Sequence, residues 1–152
     1  MNCLNQIPNR FSLSLVREVG PEYGDPLNCS TPEAVYRELG TVMRDFPCES
    51  LVVLMLTAKN RAIGSTVIST GDLSSSIVHP REVFTPAILA RSAAILLVHN
   101  HPSGDPAPSQ RDMELTKRIK DAGDLLGIKM LDHVIVATGG FYSFHNHGFF
   151  DI

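Results

Sequence analysis

Ala93-Ala94-Ile95-Leu96-Leu97-Val98 is an unbroken apolar run that leads straight into His99-Asn100-His101. A short continuous apolar run of this kind is what a strand covered on both faces requires. Behind it, Pro102-Ser103-Gly104-Asp105-Pro106-Ala107-Pro108 is polar and rich in proline, so it reads as a loop. Gly104 is expected to supply a positive backbone angle in that loop. Ser109 then caps a helix that shows Met113, Thr116, Ile119 and Leu126 at helical spacing and stops at Gly127. Strand, loop and helix thus follow within a few dozen residues, with the chemically richest side chains at the strand's end.

Working outward, Ile128 to Ala137 reads as another strong strand, Gly139-Gly140 as a turn and Phe141 to Phe144 as a short closing strand. Upstream, Leu51 to Thr57 is a second fully apolar run. Ala58-Lys59-Asn60-Arg61 follows as a polar turn, and Ile63 to Ser69 as the return strand of a hairpin. Gly71 opens another turn before Ser76 to Val78, and Pro80 starts a helix with Val83, Phe84, Ile88 and Leu89 on its buried face. Ser30-Thr31-Pro32-Glu33 is a further helix start, followed by Val35, Leu39, Val42 and Met43 as its apolar face. Phe11, Leu13 and Leu15 alternate with polar residues between Phe11 and Glu18, a half-buried strand, and Pro21 to Asn28 reads as loop. These elements predict an α/β fold, a mixed β-sheet flanked by helices, and 152 residues suit one domain over residues 1–152.

The composition excludes several classes. Thirteen Lys+Arg against sixteen Asp+Glu leave a net charge of -3, which counts against direct nucleic-acid binding by this chain alone. No apolar run has the roughly 18 residues of a membrane span, and the amino terminus has no secretory pattern. A soluble, cytoplasmic protein is expected. Cys3, Cys29 and Cys48 are odd in number and widely spaced, so neither a disulfide framework nor a cysteine zinc site is signalled.

The end of the apolar run carries the chemistry. Residues two apart on an extended chain point the same way, so His99 and His101 can present two imidazole nitrogens to one ion. Asp112 is the third donor, three residues after the cap at Ser109, where the helix dipole favours a carboxylate. Two nitrogens and one oxygen leave the fourth corner of a tetrahedral zinc site open to water, the composition of a catalytic site. Taken alone, Ser109-Gln110-Arg111-Asp112 is an ordinary capping box. Its place after the two histidines makes the metal reading the stronger.

His99-x-His101, seven residues, Ser109, two residues and Asp112 together resemble the motif of the JAB/MPN/JAMM metalloprotease domain. The wording of residues 99–112, with His79-Pro80-Arg81-Glu82-Val83-Phe84 and Leu131-Asp132-His133-Val134-Ile135-Val136, is similar to the RadC-like branch over about residues 10–150. Asn100 stands where the wider JAMM group usually has Ser or Thr, as is normal for this branch. The resemblance implies the cytidine-deaminase-like JAB/MPN architecture. It implies the short form without the helix-hairpin-helix region that RadC-like proteins often carry. It also implies a zinc-dependent hydrolase acting on a peptide, isopeptide or related amide bond of a protein or peptide substrate, with one Zn2+ per chain.

In that family a glutamate precedes the first core strand, and Glu49 holds that place here. The resemblance makes Glu49 the general base, His99, His101 and Asp112 the zinc ligands, and Ser109 the donor to the oxyanion. Glu82 is the competing acid; an ion pair at a helix start is its expected role. Asp132 or His133 could orient a ligand, although a buried structural role is expected of His133, and His145 and His147 read as a solvated tail. His79, preceding a proline, should be extended. Two other classes stay open: a DNA-associated protein of repair or mobile elements, suggested by the historical naming of the RadC-like group, and an interaction module without catalysis. An exposed sheet edge leaves room for a homodimer.

Overall fold

Two segments without a charged side chain, Ser50–Leu56 (β1) and Ala94–Asn100 (β3), are buried along their whole length, because each is flanked by strands and covered by helices. The computed structural model describes residue 14 and residues 26–71 and 78–150. Within these, β1, β2 (Ala62–Thr70), β3, β4 (Lys129–Ala137) and β5 (Gly140–Ser143) form one mixed sheet in the order β2-β1-β3-β4-β5. β3 and β4 are parallel; the other neighbours run antiparallel. The α/β fold expected from the sequence is the fold observed.

The pleat sorts β1 and β3 onto two faces. Leu51, Val53, Met55, Ile95 and Leu97 pack with Val83, Phe84 and Ala87 of α2 (Pro80–Leu89) and with Leu115 and Ile119 of α3 (Gln110–Leu126). Val52, Leu54, Leu56, Leu96 and Val98 pack on the other face with Val35 and Met43 of α1. That helix runs through Pro32–Val35, a π-helical turn at Tyr36–Gly40, and Thr41–Met43.

The starts and stops follow from local chemistry. The Thr31 side chain caps α1 by accepting from the Ala34 amide. At α2 the extended His79 is the N-cap, and Glu82 accepts from its backbone amide at 3.2 Å, so the capping bond takes the place of the expected ion pair. Gly127, at φ +72°, ends α3. Asn60, at φ 56°, lets the β1–β2 turn close.

Three apolar residues expected in the core are outside it. Val42 is 60% exposed. The π-helical turn inserts one extra residue, so Met43, eight residues after Val35, returns to Val35's face and Val42 is rotated off it. In α2, Ala87 is buried in place of Ile88; in α3, Leu115 is buried while Leu126 lies at the exposed last turn. Apart from Ser14, the expected strand at Phe11 to Glu18 lies outside the described residues, as does all of Ser76 to Val78 except the buried Val78.

Candidate metal centre

The site forms where β1 begins, β3 ends and α3 starts. Leu51 pairs with His99 across the antiparallel β1–β3 ladder, so Glu49, two residues before Leu51, falls on the same face as His99 and His101. One ligand atom each from Glu49, His99 and His101 lie within 4.8 Å of one another. Asp112 reaches the same two histidines from the first turn of α3: Oδ1 is 3.3 Å from His99 Nδ1 and Oδ2 is 3.5 Å from His101 Nε2. Bonds of roughly 2.0 to 2.1 Å to a tetrahedral ion set neighbouring donors about 3.3 Å apart. The two separations, made by different oxygens of the carboxylate, are close to that value and exceed the roughly 2.7–2.9 Å of a charge-assisted hydrogen bond.

Each donor is held from behind. His101 Nδ1 donates to the Asp105 carbonyl at 2.9 Å, which leaves Nε2 bare as the nitrogen facing Asp112. The loop that supplies this carbonyl is pinned: the His101 amide donates to Val136 O at 2.9 Å, and the Gly139 amide to Gly104 O at 3.0 Å. Gly104 takes φ +89°, as expected, and a β-carbon there would press on Thr138 Oγ1. Asp112 Oδ2 accepts from both the amide (2.7 Å) and the hydroxyl (2.6 Å) of Ser109. Thus Ser109, expected at an oxyanion, is turned toward Asp112, and the capping box and the ligand set are one structure.

His99 is 1% exposed, and neither of its ring nitrogens has a hydrogen-bond partner. An unmet buried polar atom costs roughly 1–3 kcal/mol, so an additional partner belongs there. Glu49, His99 and His101 form a possible metal-holding group, and Asp112 sets a second carboxylate against the same two imidazoles, a donor chemistry that suits a zinc-like cation. Electrostatics agree. Burial disfavours a carboxylate at Asp112, yet the facing imidazoles of His101 and His99 and the hydrogen bonds from Ser109 prevail and hold its carboxyl far below the usual range. Burial likewise works against charge on His101, but Asp112 and the Asp105 carbonyl outweigh it and raise the imidazole above its ordinary value.

Behind the ligands lies the buried His133 that the sequence led one to expect, together with a Thr116 link that it did not show. Thr116 Oγ1 donates to the Asp112 carbonyl at 2.5 Å, so it accepts from His133 Nδ1 at 2.8 Å. His133 is fully buried, its ring stacked between His99 and Phe144 at centroid distances of 5.8 and 5.0 Å. Burial, then repulsion from His99, lower its pKa to about 3, so it is a neutral ring wedged behind a ligand. Asp132 faces elsewhere and accepts from Ser143 Oγ, the His145 amide and the His133 amide. That bond to His145, with His147 stacked on Tyr142 at 4.0 Å, makes the expected solvated tail exposed yet fastened. Asn100 was singled out only as a departure from the wider motif; it is wholly buried and bonds to residues 46–50. Strand alternation was the available signal, since it sends Asn100 to the face opposite the histidines.

A five-stranded mixed sheet with helices on both faces and an H-x-H…D cluster at a strand end define the JAB class of α/β domain. The RadC-like JAB domain matches residues 29–149, and the chain belongs to that family. A UPF0758 protein of Geobacter sulfurreducens is 49% identical over 119 residues, covering 78% of this chain and 52% of the relative. One from Geotalea uraniireducens is 49% identical over 140 residues, 91% of this chain and 61% of the relative, and one from the archaeon Methanosarcina mazei is 44% identical over 120, 79% and 52%. The chain spans about half the length of such curated relatives, and their names state no activity. Among the described residues, no helix is long and apolar enough to cross a membrane.

Proposed function

We propose that this domain is a zinc-dependent hydrolase of amide bonds, acting on a peptide or isopeptide substrate, with one ion per chain. The observation that carries the reading is the Asp112 carboxylate at 3.3 and 3.5 Å from two imidazole nitrogens, with Glu49 on the same face. A bound Zn2+ would supply an activated water near neutral pH and polarise the scissile carbonyl. Glu49 accepts the proton of the attacking water and returns it to the leaving amine. His101 and His99 stay fixed through this transfer, the first by Asp105 and the second by the stacked His133. Ser109 orients Asp112 and, once Oδ2 is engaged elsewhere, turns its hydroxyl to the developing oxyanion.

Metal analysis of the purified protein should give about one zinc per chain, lost in His101→Ala and Asp112→Asn. A screen of peptide and isopeptide substrates should show turnover by the wild type and a loss of about 10²–10⁴-fold in Glu49→Gln with zinc retained. Equal activity of the two would overturn the general-base assignment, and a wild type that takes up no metal would overturn the whole reading.

A further inference from the structure

We infer that Asn100, the residue between the two histidines, is a positioning residue for Glu49, an inference that rests on the reading of Glu49 as the base. Its side chain turns away from the metal face and is 0% exposed. Oδ1 accepts from the Ser50 amide at 2.7 Å, and Nδ2 donates to the Cys48 carbonyl at 3.1 Å and the Phe46 carbonyl at 3.5 Å. The Cys48 carbonyl and the Ser50 amide belong to the two peptide groups that flank the Glu49 α-carbon. One planar side-chain amide therefore grips both peptide units and fixes both backbone dihedrals of Glu49, which sets the direction of its side chain. The Gly71 amide, donating to the Glu49 carbonyl at 2.8 Å, holds the second of those units from the other side.

The Ser50–Thr70 pair and the Gly71 bond hold this segment on the β2 side; on the β3 side the main-chain pairing stops short of it. The paired register of β1 with β3 ends at Leu51 and His99, so the segment that carries Glu49 lies beyond the last main-chain pair of those strands, and the Asn100 amide substitutes for the missing rungs. The task needs a donor and an acceptor on one short rigid group, which an Asn side chain has; Leu has neither, and ionised Asp only accepts. The tripeptide His99-Asn100-His101 thus does two jobs by strand alternation: its outer residues face the ion, and its middle residue aims the base.

The test uses the whole chain loaded with Co2+ as a visible probe, comparing wild type, Glu49→Gln, Asn100→Leu and the milder Asn100→Ser. Stoichiometry, affinity and the pH midpoint of the cobalt absorption band are read for each. Both Asn100 variants should bind one Co2+ with affinity within about threefold of wild type, against the 10–100-fold loss that follows removal of a group supporting the ligands themselves. Glu49→Gln should lower the midpoint, because an anion beside the ion's water opposes its ionisation, and Asn100→Leu should lower it too. Adding Asn100→Leu to Glu49→Gln should move it no further, the mark of action through Glu49. With a turned-over substrate, kcat should fall about 10–100-fold in Asn100→Leu while KM stays within about twofold.

A wild-type midpoint in the Asn100 variants alongside a shifted one in Glu49→Gln would overturn the inference, as would loss of Co2+ binding from both Asn100 variants, which would make Asn100 part of the cage. An unshifted Glu49→Gln would place Glu49 away from the water, overturning the base assignment itself and this inference with it.

Discussion

His133 shows how one buried ring couples the site to stability. Its pKa is about 3 in the folded chain against the ordinary 6.5, so the unfolded chain binds the extra proton first as the pH falls. The stability it contributes is present above pH 6.5 and is lost on acidification toward pH 3, at up to about 1.4 kcal/mol per pH unit. Urea midpoints measured in chelator between pH 7 and 4.5 should fall for the wild type and fall less steeply for His133→Asn; equal slopes would remove this residue from the account. Cys29 is the opposite case: burial pushes its thiol up to about 11 from 9.0, so its contribution is present below about pH 9 and lost as the pH rises through 11. At pH 8, iodoacetamide should modify the exposed Cys48 and leave Cys29 intact until the chain is unfolded, a difference that peptide mapping by mass spectrometry reads directly.

Among the elements, α3 carries the tightest constraint. It must lie close enough to β3 and β4 for Asp112 to meet the histidines, and Gly123 is where it approaches the chain that leads into β4. A β-carbon at Gly123 would stand 2.6 Å from the Ile128 carbonyl and 3.1 Å from Phe84 Cζ. Gly123→Ala should therefore destabilise the fold by about 1–3 kcal/mol, even though alanine favours an isolated helix by roughly 1 kcal/mol. A denaturant midpoint at or above wild type would show that the helix can move away, and zinc affinity would then report whether the ligands moved with it. Element positions were well marked in the sequence by Thr31, Pro80, Ser109 and Gly127, all of which act at helix ends. Which side of a helix is buried was less legible: Val42 and Met43 were both expected inward, and the residue inserted in α1 keeps Met43 buried but turns Val42 out, which no periodicity argument detects.

For the molecule as a whole, the ion is the expected link between folding and the site. Its proposed donors come from the end of β3, the first residue of the loop at 101–109 and the first turn of α3, so binding joins elements that must already be docked. Free zinc at 100 times its Kd should stabilise the fold by about 2.7 kcal/mol, a rise of roughly 5–10 °C in Tm for a chain of this size. Differential scanning calorimetry with and without chelator would show it, with His101→Ala insensitive to zinc; an unchanged wild-type Tm would argue that no ion is held by the folded state. The same coupling explains the burial of polar groups at the site. His99, Asn100, Asp112, Thr116 and His133 are all buried; Asn100, Asp112, Thr116 and His133 Nδ1 have hydrogen-bond partners within the protein, and the proposed ion would supply one to His99.

Periodicity, turn residues and the spacing of His99, His101, Ser109 and Asp112 were enough to derive the mixed sheet and its helices and to single out a candidate donor set, because these depend on local conformation and on residues near in sequence. The tertiary structure alone decided what depends on contact between distant segments. Register brought Glu49 onto the histidines' face, packing wedged His133 behind His99, and the Asn100 side chain closed on residues about a third of the chain away. Hydrogen bonds of that kind are set by where two strands happen to meet, and no period within a single strand encodes the meeting point.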